Sequence, residues 1–262
     1  MLQEKYPILE YDSDSASNAK EYFFRQGKKD FSKLKKVNEA GIDKCILFLP
    51  RHFNQLKQYR KKCKLVYEFK SASTISPVYL YDNKLLIALC PLGGPAVANL
   101  VEELEYNGIK KFISCGTCGL IDQSKDVDNF FVPTSAIRDE GLSYHYMAPS
   151  RDIKISTKFT KALCKALQYY GVDYYTGTVW TIDAIYRETP KRIKRRLKEG
   201  AIGVDMECAS LTAVCKYNKC EFASLLYFSD STDGIKWNWR FYDKIALRSL
   251  LLDICIKAFE SL

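Results

Sequence analysis

A strand, a glycine-rich turn, a helix and a second strand follow one another between residues 84 and 115, and this order most constrains the fold. Residues 84–90 form a continuous apolar run that ends at Pro91-Leu92-Gly93-Gly94-Pro95. Gly108 ends the following helix, and residues 111–115 form another apolar strand. Apolar residues recur with helical spacing between them, at Val97, Leu100, Val101 and Leu104. This β-α-β unit predicts a sheet that contains parallel strands.

The same alternation of strands and helices continues along the chain. Further strands are predicted at residues 45–49, 130–132, 172–180, 201–205 and 221–228. Helices are predicted after Ser156, after Thr189-Pro190, after Glu207 and from about Phe241. The alternation predicts a three-layer α/β fold. No linker divides the sequence, so we expect one domain over residues 1–262, with residues 1–43 as an N-terminal arm.

The composition is that of an ordinary globular protein, because 47% of the residues are hydrophobic and 27% are charged. The most apolar window, residues 85–100, is broken by prolines and glycines, so no transmembrane span is expected. Residues 1–7 lack the basic region and apolar core of a signal peptide, which favours a cytoplasmic location. Most of the ten cysteines lie in apolar segments and are expected to be buried and reduced.

The net charge of +9 raises the question of nucleic-acid binding. Much of the charge lies in residues 191–198, where Ile193 and Leu197 are four positions apart and form one apolar stripe. This pattern favours a helix with a solvated basic face over a phosphate-binding patch. We therefore expect neither a nucleic-acid partner nor a membrane partner, although a basic surface could steer an anionic substrate.

A pair of carboxylates follows a predicted strand in Gly203-Val204-Asp205-Met206-Glu207. A carboxylate at a strand-to-helix junction lies at the rim of the sheet, where open α/β sheets bind ligands. A glutamate in the first turn of a helix also suits the helix dipole. Spacing alone does not distinguish a ligand-binding Glu207 from a helix cap.

Two glycine turns are predicted at the same edge of the sheet. Gly93-Gly94 follows one strand, and Cys115-Gly116-Thr117-Cys118-Gly119 follows the next. Free backbone N–H groups at such turns can hold an anion. The Cys-x-x-Cys spacing favours a strand-end loop over a redox or zinc site, because no thioredoxin-like unit and no second ligand pair follow it.

A mixed charged, aromatic and hydroxyl segment occupies residues 138–146, which we interpret as a surface loop that could carry function. His145 is expected to be structural. Serine-nucleophile chemistry is not supported, because the sequence contains no G-x-S-x-G and only two histidines.

Several motifs in one order resemble those of the nucleoside phosphorylase superfamily, in particular its uridine-phosphorylase-like bacterial members. The resemblance covers the chain from about Tyr6 to its end. It is carried by Gly93-Gly94-Pro95 with Glu102-Glu103-Leu104, Cys115-Gly116-Thr117-Cys118-Gly119, residues 133–141, residues 181–189, Val204-Asp205-Met206-Glu207 and Ser229-Asp230. It implies a three-layer α/β/α sandwich with a mixed central sheet.

The resemblance also implies a reaction, in which phosphate cleaves the N-glycosidic bond of a nucleoside to give a pentose 1-phosphate and a free base. Met206 would pack on the sugar and Glu207 would accept hydrogen bonds from its hydroxyls. Asp230 would face the base as a general acid. The segment from Trp180 through Thr181 to Tyr186 would supply an aromatic wall.

The phosphate side departs from the family pattern. The resemblance assigns it Gly93, Gly94 and Thr117, but Ser114 stands where relatives have an arginine. A Gly-Asp-Pro-x-x-Arg-like loop is also absent, and residues 49–54 read Leu-Pro-Arg-His-Phe-Asn instead. Because a buried phosphate needs a cationic partner, a phosphorylase of this sequence would need Arg51, Arg138 or Arg187 as a substitute.

Three functions therefore stay open at this point. Overall similarity favours a phosphorylase with inorganic phosphate as co-substrate and no other cofactor. Loss of the arginine allows a nucleosidase that uses water, or a nucleoside-binding protein without turnover. Asp230 favours a purine, whereas overall similarity favours uridine. The resemblance implies a homo-oligomer, either a dimer, a trimer or a hexamer.

Overall fold

The computed structural model describes residues 17–239 and 245–262. Part of the predicted N-terminal arm and the predicted helix start near Phe241 lie outside these residues. The strands are β1 (Lys44–Phe48), β2 (Cys63–Lys70), β3 (Ile75–Tyr81), β4 (Leu85–Leu89), β5 (Lys111–Leu120), β6 (Phe130–Asp139), β7 (Asp152–Lys154), β8 (Tyr174–Ile182), β9 (Ala201–Asp205), β10 (Glu221–Thr232) and β11 (Trp237–Trp239). The helices are α1 (Ser17–Gln26), α2 (Ser32–Glu39), α3 (Pro50–Phe53), α4 (Lys57–Arg60), α5 (Gly94–Tyr106), α6 (Ser143–Tyr146), α7 (Thr157–Tyr169), α8 (Pro190–Lys198), α9 (Cys208–Tyr217) and α10 (Ile245–Glu260).

The described strands form one mixed sheet in the order β11-β10-β6-β8-β9-β5-β1-β4-β3-β2, with β7 paired to β6. β1 pairs in parallel with both β4 and β5, so the two strands of the predicted β-α-β unit flank it. β2 and β3 add an antiparallel hairpin at one edge. The predicted α/β class with a mixed central sheet is confirmed.

Five strands of this sheet close into a ring. β5 pairs with β9 and also with β10, while β10 pairs with β6, β6 with β8, and β8 with β9. The ring brings the ends of β5, β9 and β10 together, because Gly119 pairs with both Val204 and Asp230. This closure places the Asp205–Glu207 junction beside the end of β10.

Two segments that the sequence assigned to loops are strands. Cys115–Gly119 lies within β5, and Arg138 and Asp139 end β6. Glycine allows two strands to approach each other closely here, because a Cβ on Gly119 would lie 3.1 Å from Cγ1 of Val204. Cys115 and Cys118 are both buried, and all ten cysteines are free thiols.

The basic helix α8 confirms its predicted start at Pro190 but presents a different face to the core. Ile193 is buried as predicted, whereas Leu197 is 38% exposed and Arg196 is buried instead. Arg196 reaches an ion pair with Asp139 at 2.8 Å and lies over the Trp180 ring. No helix within residues 17–239 and 245–262 has the length and apolar character needed to cross a membrane.

Candidate active site

A cavity of about 270 Å³ opens where the ends of β1, β4, β5, β9 and β10 meet. Its walls include Met206, Glu207, Thr117 and Asp230, four of the residues proposed from the sequence. Hence the sheet topology brings together residues that are more than 110 positions apart in the chain. A cleft at the strand ends of an α/β sheet is the usual location of a ligand site.

Glu207 sits at the junction between β9 and α9. It occupies the N-cap position, but its side chain makes no capping hydrogen bond. The backbone N–H of Gly93 donates to Glu207 Oε1 at 2.7 Å. Burial, reinforced by the nearby charge of Asp205, raises the pKa of Glu207. The carboxyl is therefore held towards the cavity by the first glycine turn.

Asp205 performs the capping role that was one interpretation of Glu207. Its Oδ2 accepts hydrogen bonds from the backbone N–H of Cys208 at 2.8 Å and of Glu207 at 3.3 Å. Thr181 Oγ1 donates to the other oxygen, Oδ1, at 2.6 Å. Burial raises the pKa of Asp205 as well. The cap leaves Glu207 free for another role.

Asp230 lies near the end of β10 and is 6% exposed. Trp237 Nε1 donates to its Oδ2 at 2.6 Å, and Ser229 Oγ donates to its Oδ1 at 2.5 Å. The ring of Trp237 stacks on that of Trp239 with centroids 5.6 Å apart. These two tryptophans supply an aromatic wall beside Asp230 that sequence reasoning missed.

The aromatic wall expected from residues 180–186 does not line the cavity. Trp180 is fully buried, and its Nε1 donates to Asp139 at 2.8 Å. Thr181 is fully buried too and acts on the site only by holding Asp205. Tyr186 is 92% exposed and lies outside the cavity wall. These three side chains are therefore not placed where a substrate in the cavity would touch them.

The residues expected at the phosphate side are only partly brought together. Thr117 lines the cavity. The Gly93 N–H, however, already donates to Glu207. Gly94 packs against Ser210, and a Cβ on Gly94 would lie 2.3 Å from Ser210 Oγ. Arg138 is 1% exposed and outside the wall. Its guanidinium donates to Ser143 Oγ, Met147 O, Ala148 O and Ser150 Oγ. The protein itself thus satisfies Arg138.

No described side chain in the cavity wall belongs to a lysine, arginine or histidine. Ser114, at the position of the family arginine, donates to Ser224 Oγ at 2.8 Å. Arg187 is exposed, and the side chain of Arg51 is outside the described residues. The described wall instead contains four carboxyl groups, those of Glu188, Asp205, Glu207 and Asp230.

Glu188 is the carboxyl that sequence reasoning missed. It follows the 3₁₀ turn Ile185–Arg187 and is 9% exposed. Burial, together with the nearby charge of Asp230, raises the pKa of Glu188 to about 7. Its signals in the sequence were its place directly before the Thr189-Pro190 helix start and inside residues 181–189, which carry the family resemblance.

Comparison with known proteins identifies the family. Residues 45–248 match the phosphorylase superfamily. The chain belongs to this superfamily. Its curated relatives include a guanosine phosphorylase of Halorubrum lacusprofundi, 27% identical over 52% of this chain and 57% of the relative. A uridine phosphorylase of Haemophilus influenzae is 28% identical over 41% of this chain and 43% of that protein. The chain therefore spans about half the length of these relatives.

A solved structure extends the likeness in fold to most of the chain. The AMP nucleosidase of Bacteroides thetaiotaomicron superposes on this chain with a TM-score of 0.67. The superposition covers 84% of this chain and 88% of the nucleosidase. The two sequences are 24% identical. The likeness confirms the phosphorylase-superfamily fold.

Proposed function

We propose that this protein cleaves the N-glycosidic bond of a nucleoside in the cavity, with water as the nucleophile. The observation that carries the proposal is the charge of the described wall, which holds four carboxyl groups and no cationic side chain. Cleavage of a glycosidic bond develops positive charge on the sugar in an oxocarbenium-like transition state. A wall of carboxyl groups favours that charge.

Glu207 supports the proposal at the sugar end. Its Oε1 is held by the Gly93 N–H at 2.7 Å, and it lies beside Met206 in the cavity wall. An ionised carboxylate about 4 Å from a positive charge contributes at most roughly 4 kcal/mol at an effective dielectric constant of about 20. Because the sugar is neutral in the ground state, most of this stabilisation belongs to the transition state. Glu207 would also accept hydrogen bonds from sugar hydroxyls.

The hydroxyl-bearing part of the cavity wall supports water over phosphate. Ser114, Thr117 and Ser224 offer hydroxyl groups there, and Ser114 and Ser224 are hydrogen-bonded to each other. A phosphate dianion in this place would face like charges without a described cationic partner, which is costly. A water molecule carries no such penalty, and a nearby carboxylate can accept its proton as it attacks.

Phosphorolysis is the second candidate, and the curated relatives favour it. A purine nucleoside phosphorylase of the DeoD type from Caldanaerobacter subterraneus is 30% identical over 58% of this chain and 67% of that protein. The relatives from Halorubrum and Haemophilus are also named phosphorylases. Phosphorolysis would require a cation from outside the described wall, and Arg51 follows Pro50 at the end of β1.

The deciding experiment measures base release from a panel of purine and pyrimidine nucleosides in phosphate-free buffer and again with added phosphate. We expect release without phosphate, free pentose as the second product, and no stimulation by phosphate. Release that depends on phosphate and yields pentose 1-phosphate would establish the second candidate instead. Nucleoside binding without release under either condition would make the protein a binding module. Glu207→Gln, in which base release should be strongly reduced, is the matched control for contaminating enzymes.

A further inference from the structure

Two serine hydroxyl groups meet in the hydroxyl-bearing part of the cavity wall. β5 and β10 pair in parallel with Ser114 opposite Ser224, and Ser114 Oγ donates to Ser224 Oγ at 2.8 Å. β1 continues this row, because Leu47 pairs with Ser114 on the other side of β5. Residues opposite each other on neighbouring strands project from the same face of a sheet. The three side chains therefore form one row across three strands.

A second row on the same face is apolar and contains a glycine. Gly116, two residues after Ser114, pairs with Leu226, two residues after Ser224. A Cβ on Gly116 would lie 3.5 Å from Cδ1 of Leu49, and only Leu49 has atoms within 4 Å of that position. We define the serine pocket as the six cavity-wall residues of these two rows: Leu47, Leu49, Ser114, Gly116, Ser224 and Leu226. None of the six is charged.

The serine pair keeps one donor and one acceptor unused. Ser114 uses its proton in the bond to Ser224, so Ser114 Oγ still accepts, and Ser224 still has its own proton to donate. Within residues 17–239 and 245–262, neither hydroxyl makes another hydrogen bond. Ser224 is 1% exposed, and a buried donor without an acceptor is costly. A bound molecule that accepts from Ser224 and donates to Ser114 removes this cost.

A hydroxyl group on a short apolar stem fits both rows of the serine pocket. It can accept from Ser224 and donate to Ser114, which closes a ring of three hydrogen bonds. Its stem would lie over Gly116, where the absence of a side chain leaves space beside Leu49 and Leu226. An ionised phosphate or carboxylate has no proton for Ser114 and would be desolvated against apolar side chains. Water satisfies both serines but leaves the apolar row without a partner.

We propose that the serine pocket binds a short primary alcohol, which accepts the glycosyl group and gives an alkyl pentoside. The inference rests on the proposed function and adds a transfer activity to the same cavity. The C1′–N bond breaks with its electron pair going to the base, and a C1′–O bond forms to the alcohol oxygen. The alcohol proton passes to a carboxylate of the wall, and the base takes up one proton as it leaves. One nucleoside and one alcohol thus give one alkyl pentoside and one free base.

The test follows nucleoside cleavage in phosphate-free buffer that contains methanol, ethanol or 2-methyl-2-propanol. NMR of the products measures the ratio of alkyl pentoside to free pentose. Burial of each stem carbon should favour the alcohol over water by about fourfold. We therefore expect the product ratio to exceed the mole ratio of alcohol to water by about fourfold for methanol and about 15-fold for ethanol. The branched tertiary alcohol should give no pentoside, because it overfills the space beside Gly116.

Two substitutions locate the effect in the serine pocket. Gly116→Ala places a methyl group where the stem would lie, at an ordinary contact distance from Leu49, so the ethanol ratio should fall to the mole ratio or below. Ser135→Ala is the matched control, because Ser135 is buried and bonded to Thr178 outside the cavity wall. It should keep the ratio of the unmodified protein. The comparison of ethanol with methanol in the unmodified protein tests the pocket without any substitution, since ethanol is no stronger a nucleophile than methanol.

The outcomes separate this inference from the proposed hydrolysis. Product ratios equal to the mole ratio for both alcohols, or an ethanol ratio unchanged in Gly116→Ala, would overturn the inference while free pentose still supports hydrolysis. Alkyl pentoside without free pentose would support the inference and refute water as the nucleophile. Base release that occurs only with phosphate, or no base release in any buffer, would overturn both.

Discussion

Replacing Glu188 by glutamine should stabilise the folded protein at alkaline pH. The folded-state pKa of Glu188 is raised by burial to about 7, above the ordinary value of 4.5. The folded state therefore binds this proton more tightly than the unfolded state between these two pH values. Stability contributed by the protonated group is complete below about pH 4.5 and is lost as the pH rises through 7. Glutamine is neutral throughout and has no such loss.

The size of the effect follows from the pKa difference. Each pKa unit corresponds to about 1.36 kcal/mol, so a rise from 4.5 to about 7 corresponds to at most roughly 3 kcal/mol above pH 7. Because part of the carboxyl faces the cavity, solvent screening reduces this value, and we expect about 2 kcal/mol. For a domain with a free energy of unfolding of about 5–15 kcal/mol, that change is readily measured.

Urea denaturation at about pH 5 and at about pH 8 would measure this change. The advantage of Glu188→Gln over the unmodified protein should be small at the lower pH and reach about 2 kcal/mol at the higher pH. Glu39→Gln, on the exposed surface of α2, should show no difference between the two pH values relative to the unmodified protein. An equal stability of Glu188→Gln and the unmodified protein at pH 8 would refute the reasoning from burial.

Three further substitutions test the site. Glu207→Gln should lower kcat/KM for base release by about 30- to 160-fold, which corresponds to about 2–3 kcal/mol of lost charge-assisted hydrogen bonding in steady-state kinetics. Thr181→Val should lower the free energy of unfolding by about 1–3 kcal/mol in urea, because it leaves Asp205 Oδ1 without its donor, whereas Thr181→Ser should retain most of the stability. Trp180→Phe should cost about 1–3 kcal/mol of stability through the lost bond to Asp139 but leave KM unchanged; a raised KM would place Trp180 at the substrate.

Periodicity and turn residues predicted most of the sheet that builds the site. The β4-α5-β5 unit, β9 and the start of α8 lie where apolar runs, glycines and the Thr189-Pro190 pair indicated. These signals are local, because a buried strand or a helix start depends on its own residues. The short strands β7 and β11 were missed, since three residues give no readable alternation.

The parts of the site that could not be predicted depend on long-range contacts. Trp180 ends a predicted strand and is fully buried, whereas Trp237 lies on the unpredicted strand β11, whose pairing with β10 places it beside Asp230. Arg138 was a reasonable phosphate ligand by charge. However, Met147 O, Ala148 O and Ser150 Oγ accept the hydrogen bonds of its guanidinium. Sequence spacing contains no information about where the two tryptophans lie or about the hydrogen bonds that Arg138 makes.

The four carboxyls of the cavity bear on the proposed hydrolysis, because ionised carboxylates there would favour a developing cation over a neutral substrate. Glu188, Asp205, Glu207 and Asp230 cannot all ionise cheaply in one wall without a described cation, so each charge raises the cost of the next. Positive charge on the sugar relieves this repulsion, and it appears only as the glycosidic bond breaks. A carboxylate that stays ionised next to the sugar therefore stabilises the transition state more than the ground state, which lowers the barrier. A phosphate dianion would add to the repulsion in both states. This opposite effect on the two nucleophiles is the physical reason for proposing water as the nucleophile.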